Sequence, residues 1–333
     1  MVPLSVLDLS PIPEGSSAGQ ALHNSLALAR HVEALGYARY WMAEHHNLPG
    51  IASAATAVAL AHIAAGTTKI RIGAGGVMLP NHAPLMIAEQ FGTLAALHPG
   101  RVELGIGRAP GSDQVTARAM RRNLQSSGDE FPHDVIELMR YFQPTEPNQP
   151  IQAIPGAGLD IPFWILGSST YGAQLAAILG LPYAFASHFA PAYMQQAITV
   201  YRQTFKPSAQ RATPHVMLGV NVIAAETDDE AKFLFTSVQQ SFLNSRRGRP
   251  TQLPPPITDI DAKMDQYGRM LLDDALACAI VGGPATIRQG LQDFVQQTGA
   301  DELMVTANIF DHEKRLRSFS ILAEVHAAMG AKN

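Results

Sequence analysis

The sequence predicts an α/β fold, a (β/α)8 TIM barrel with insertions. Short apolar runs alternate with longer helix-like segments along the chain, eight such runs can be placed, and most are continuously apolar, not alternating. Continuous runs are what parallel strands covered on both faces require. Strand–helix alternation repeated eight times favours closure into a barrel over an open doubly wound sheet, which ordinarily has fewer strands.

The expected strands are 4–10, 39–44, 69–79, 101–107, 162–167, 183–187, 216–224 and 302–308. The first helix, 18–35, opens after Ser16 and Ser17 and stops at Gly36, a good cap pair. The second, 54–65, follows Ser53 and ends at Gly66, and the third, 84–97, starts on a proline suited to a first turn and meets the Pro99-Gly100 breaker. Further helices are expected at 134–142, 171–179, 193–205, 228–244, 284–297 and 312–329. Two stretches break the repeat. Residues 143–160 carry four prolines and two glycines, and 246–260 hold RRGRP and PPP before an expected helix near 261–274. The chain 1–333 is therefore read as one barrel domain with insertions near 143–160 and 246–274. The second insertion follows the seventh strand, where it would stand over the barrel mouth as a lid; a linker to a second domain is the alternative.

Composition narrows the function. Hydrophobic residues make up 47% and charged residues 16% of 333, with a net charge of −4, so there is no basic field for nucleic acid or anionic lipid. The one cysteine, Cys278, sits in the apolar LACAIV and reads as a small buried hydrophobe. No basic leader and no apolar run of about 18 residues is found, so a cytoplasmic protein that neither enters a membrane nor binds nucleic acid is expected.

In such a barrel the chemistry sits at the carboxyl ends of the strands. The second strand ends in Glu44, His45 and His46, of which one or two face the cavity because neighbouring side chains point oppositely. The third carries Gly75-Gly76, read as a bulge or as room for a flat ligand against the backbone, and ends in Asn81 and His82. The fourth ends in Arg108, placed for an anion or the electron-rich edge of a cofactor, with Arg118, Arg121 and Arg122 beyond it. The turn Gly167-Ser168-Ser169 opens a helix, offering hydroxyls, free N–H groups and a helix dipole to a phosphate; an ordinary serine cap writes the same pattern. His188 and Asp8 are further candidates for the mouth. Together these residues describe a place for a phosphorylated planar cofactor without distinguishing FMN from other phosphorylated ligands. No metal site is expected, since the first strand lacks the His-x-His of metal-dependent barrel hydrolases.

The segments RYWMAEHHNLPG, IGAGGVMLPNHAPLMIAEQFGTLAALHPGR, ELGIGRAPGSD, WILGSSTYGAQLAA and ADELMVTANIFDHEKRLRSF resemble the bacterial luciferase-like flavin-dependent monooxygenases over nearly the whole chain. The closest likeness is to single-component members with unassigned substrates. The resemblance implies that His45, with Glu44 beside it, handles protons. It implies that Gly75 and Gly76 are joined by a cis peptide against the flavin, and that Arg108, Gly167, Ser168, Ser169 and Tyr171 hold its phosphate. It further implies reduced FMN as co-substrate, molecular oxygen, a small organic substrate, a separate NAD(P)H:flavin reductase and a homodimer. Two departures stand out: light-emitting members have a cysteine where this chain has Gly107 and alanines at Gly75-Gly76. Emission from long-chain aldehyde is therefore not expected. A deazaflavin-dependent oxidoreductase and a non-catalytic FMN-binding protein are the alternatives.

Overall fold

The computed structural model describes residues 1–109, 116, 119–120 and 130–330; Arg118, Arg121 and Arg122 lie outside them. The strands are β1 (Leu4–Asp8), β2 (Arg39–Met42), β3 (Arg71–Met78), β4 (Val102–Gly107), β5 (Phe163–Gly167), β6 (Tyr183–Phe185), β7 (Val216–Ala224), β8 (Ile280–Gly282) and β9 (Glu302–Thr306). All pairings are parallel, and β1 through β7 with β9 close into an eight-stranded barrel, sealed where Leu4 pairs Leu303 and Tyr183 pairs Val216. The eight expected strands are these eight. The unanticipated β8 stays outside the ring: β7 outruns its neighbours, and its last residues, from Val222, pair with Ile280 onward.

The helices are α1 (Ala18–Ala34), α2 (Thr56–Ala65), α3 (Pro84–Leu97), α4 (Phe131–Tyr141), α5 (Thr170–Leu179), α6 (Met194–Thr204), α7 (Asp228–Arg246), α8 (Gln266–Ala275), α9 (Pro284–Thr298) and α10 (His312–Gly330). Ser17 caps α1 by accepting from the Gln20 N–H. Ser53 does not cap α2 as its position suggests: its hydroxyl donates to the Leu9 carbonyl at 3.2 Å, and the helix starts at Thr56. None of the described helices is long and apolar enough to cross a membrane.

Strand alternation sorts the side chains into two layers. Val6, Tyr40, Leu104, Ile165 and Val305 face outward and pack with helix residues such as Leu28, Ile63 and Phe91. Leu7, Trp41, Ala43, Trp164, Ala184, Met217 and Met304 fill the barrel itself. Two indoles meet there edge to face, Trp41 on Trp164, with centroids 5.3 Å apart. Below them lies a buried polar plug that the apolar reading of the strands did not anticipate. Arg39 contacts Glu302 at 2.8 Å and Glu103 at 3.2 Å, Arg71 reaches Glu103 at 3.1 Å, and Ser5 donates to Glu302.

Both insertions are tied to the barrel. The first packs on α3, where Gly92 and Gly156 approach so closely that no side chain fits between them. The second lies over the mouth loops: the Leu253 N–H donates to Ile12 O at 2.8 Å, and the Glu14 N–H returns a bond of 2.8 Å to Leu253 O.

Candidate active site

The strand ends divide the candidate residues into three groups. The first surrounds His45. Trp41 and Ala43 point into the barrel, and His45, two residues further, continues that side. Its Nδ1 is buried without a partner among the described residues. Burial lowers its pKa, with the nearby Glu44 opposing and His46 assisting, so the imidazole is neutral at neutral pH. His188, after β6, packs so tightly over Gly219 of β7 that a Cβ there would overlap its Nδ1. Burial, then the neighbouring His45, pushes the His188 pKa down to about 4. Thr306 Oγ1, Asn308 Oδ1 and His312 Nε2, at and beyond the end of β9, are also buried without partners among the described residues. These three were missed as candidates. Reading the end of the eighth strand as the others were read would have found Asn308.

The second group is Glu44, His46 and His82. Glu44 Oε1 is 2.7 Å from both imidazole Nε2 atoms, and the Met78 N–H donates to Oε2 at 3.1 Å. Burial raises the Glu44 pKa, but the hydrogen bonds and charge of His82, with the bonds from His46 and Met78, outweigh it and leave the carboxylate ionised. Glu44 is thus held by its own ring of donors, with no hydrogen bond to His45 among the described residues. Asn81 is buried in the short turn Leu79–Asn81 that brings His82 into place.

The third group follows β4 and β5. The Arg108 guanidinium lies 4.1 Å over the Tyr171 ring, bringing together two residues far apart in sequence. Ser169 stands at the start of α5 in extended conformation, and no side chain caps the helix. The Tyr183 hydroxyl donates to Ser169 O at 3.0 Å, fixing the turn Gly167-Ser168-Ser169. The start of α5 and Arg108 thus present N–H donors and a cation at one edge of the mouth. Beside them a Cβ on Gly107 would meet, among the described residues, only Val77 O at 3.9 Å.

The peptide Gly75-Gly76 is cis, and the register between β3 and β4 shifts there as a bulge. The demand for glycine comes from the protein's own packing: a Cβ on Gly75 would meet Leu7 Cδ1 at 2.7 Å, and one on Gly76 the Gly105 carbonyl at 2.8 Å. Asp8 is not free for a ligand. It is fully buried, pairs with Arg315 at 2.7 Å and accepts from the Tyr40 hydroxyl, on the outer side of the barrel wall. Burial pushes its carboxyl up, but Arg315, with hydrogen bonds from Ser25 and Tyr40, holds it below the ordinary range.

Residues 2–302 match the family model of the luciferase-like monooxygenase. The chain belongs to the luciferase-like monooxygenase family. A luciferase-like monooxygenase of Escherichia coli (strain K12) is 54% identical over 327 residues, 97% of each chain. The solved structure of apo-MsnO8 shares 35% identity with a TM-score of 0.88, covering 98% of this chain and 99% of that one. The oxygenating constituent of 3,6-diketocamphane monooxygenase from Pseudomonas putida, solved with FMN, has the same fold at 18% identity and a TM-score of 0.73, over 97% of each chain. Membership in this family makes the protein a monooxygenase on a luciferase-like (β/α)8 barrel, with the three groups above at its mouth.

Proposed function

We propose that the protein is an FMN-dependent monooxygenase that takes reduced FMN from a separate NAD(P)H:flavin reductase and uses molecular oxygen on a small organic substrate. The observation that carries this reading is the mouth: the buried polar atoms of His45, His188, Thr306 and Asn308 have no partner there among the described residues. Unpaired buried polar groups are costly, and a planar ligand bearing its own donors and acceptors would satisfy them. Bound FMN would supply the electrons that activate oxygen. Arg108, Ser168, Ser169 and the first N–H groups of α5 would hold its phosphate, with Tyr171 keeping the guanidinium over the turn. His45, neutral through burial, accepts or returns a proton at Nδ1. The packed indoles beneath close the barrel to water from its other end.

The test is a titration of the protein with oxidised and reduced FMN, with and without Arg108→Ala. Binding tighter for the reduced form, and weakened about tenfold by removal of one exposed cation, about 1.4 kcal/mol, supports the reading. No binding in either redox state overturns it and directs the same titration to a deazaflavin. Binding without turnover, when reductase, oxygen and candidate substrates are supplied, would leave an FMN-binding protein.

A further inference from the structure

We infer that Glu44, His46 and His82 form a binding site for one divalent transition-metal ion of the zinc class. This inference is independent of the flavin reading, which gives none of these three residues a role. Their ligand atoms all lie within 4.8 Å of one another. An ion held at zinc–nitrogen and zinc–oxygen distances of about 2.0–2.2 Å keeps its ligand atoms on the order of 3–3.5 Å apart. The present spacing of 2.7 Å from Glu44 Oε1 to each Nε2 therefore needs only a few tenths of an ångström of opening.

Three further features suit an ion. The carboxylate is oriented in advance, because the Met78 N–H donates to its second oxygen at 3.1 Å while Oε1 faces the imidazoles. The Glu44 side chain is only 3% exposed, whereas His46 and His82 are 17% and 25% exposed, so a buried charge stands behind two ligands that solvent reaches. Two imidazole nitrogens and one oxygen make a borderline-soft set that selects zinc-like ions over magnesium or calcium, which prefer all-oxygen sites. With three protein ligands, a fourth position is left for water. An ion here would tie the end of β2 to the turn after β3 and so fix the loop that carries His45.

The experiment uses the full chain freed of metal by chelator and dialysis. Co2+ is added and followed by visible absorption, Zn2+ by calorimetry, and Mg2+ serves as the comparison. The expected result is one ion per chain for Co2+ and Zn2+, no Mg2+ binding, and a higher melting temperature with Zn2+. His46→Gln and His82→Gln each keep a side-chain amide able to donate to Glu44 and should each weaken Zn2+ at least tenfold. His23→Ala is the control, because His23 and His62 form an exposed pair with centroids 6.2 Å apart, the competing place for an ion on the surface. Absence of binding, unchanged affinity in both glutamine variants, loss of binding in His23→Ala, or equal affinity for Mg2+ would each overturn the inference. Should both variants fail to fold, X-ray absorption of the zinc-loaded parent decides. Two imidazoles in the ligand shell support the site, and an all-oxygen shell refutes it.

Discussion

At the scale of the residue, three histidines with lowered pKa, His188 foremost, shape how this protein responds to acid. His188 is held down to about 4 by burial and the neighbouring His45, whereas an unfolded histidine titrates at about 6.5. Between those values the unfolded chain binds a proton that the folded one refuses. The stability is therefore full above about pH 6.5 and is lost as pH falls toward 4, by about 3 kcal/mol for this group at the lower end. His45 and His312, both lowered by burial, act in the same sense. His188→Gln removes one of these protons, so unfolding free energy measured from pH 7 to 4 should fall less steeply in the variant. Parallel curves for the two proteins would show that His188 does not carry the effect. No sequence pattern reveals such shifts, because the ring in contact with Gly219 arrives from another strand.

Among the elements, β3 and β4 do the most to shape the mouth. Gly73 and Gly75 make room inside the ring for Trp41, and a Cβ on Gly105 would strike the Ala74 carbonyl and approach Leu166 Cδ1 to 2.7 Å. Neither backbone atoms nor a packed leucine yields easily, so Gly105→Ala should cost about 2–3 kcal/mol in denaturant unfolding. Gly107→Ala, only two residues along, meets nothing closer than 3.9 Å among the described residues and should change stability by less than about 0.5 kcal/mol. Equal costs at the two positions would contradict this account of the wall. The glycines were legible as a feature of the sequence, but their cause was not: they yield to the Trp41 indole and to the neighbouring strand. The strands themselves were legible because burial on both faces writes unbroken apolar runs. β8 was not, since three residues, Ile280–Gly282, carry no period. Nor was the polar plug, whose Arg39 and Glu302 are 263 residues apart. Strand ends pointed to Glu44, His45 and His46 as a set, and only the fold separates His45 from the cluster that Glu44 and His46 form with His82.

On the scale of the whole molecule, the outer helices raise the question of assembly. A barrel that buries its apolar residues between strands and helices has no use for Val58 on α2 or Met86 on α3, yet these are 73% and 57% exposed. Leu97, at the end of α3, is 65% exposed, and α2 and α3 pack side by side. Single exposed apolar residues are ordinary, but several on adjacent helices mark a face that gains by being covered. In a two-fold dimer the same face meets itself, so one patch would cover its own copy. We therefore expect light scattering after size exclusion to give about twice the chain mass of 35.7 kDa. Paired Val58→Glu and Met86→Glu substitutions would set like charges against each other across such a contact and should return the mass to that of one chain. A parent protein near 35.7 kDa would refute the dimer, and a variant that keeps the doubled mass would place the contact on another face.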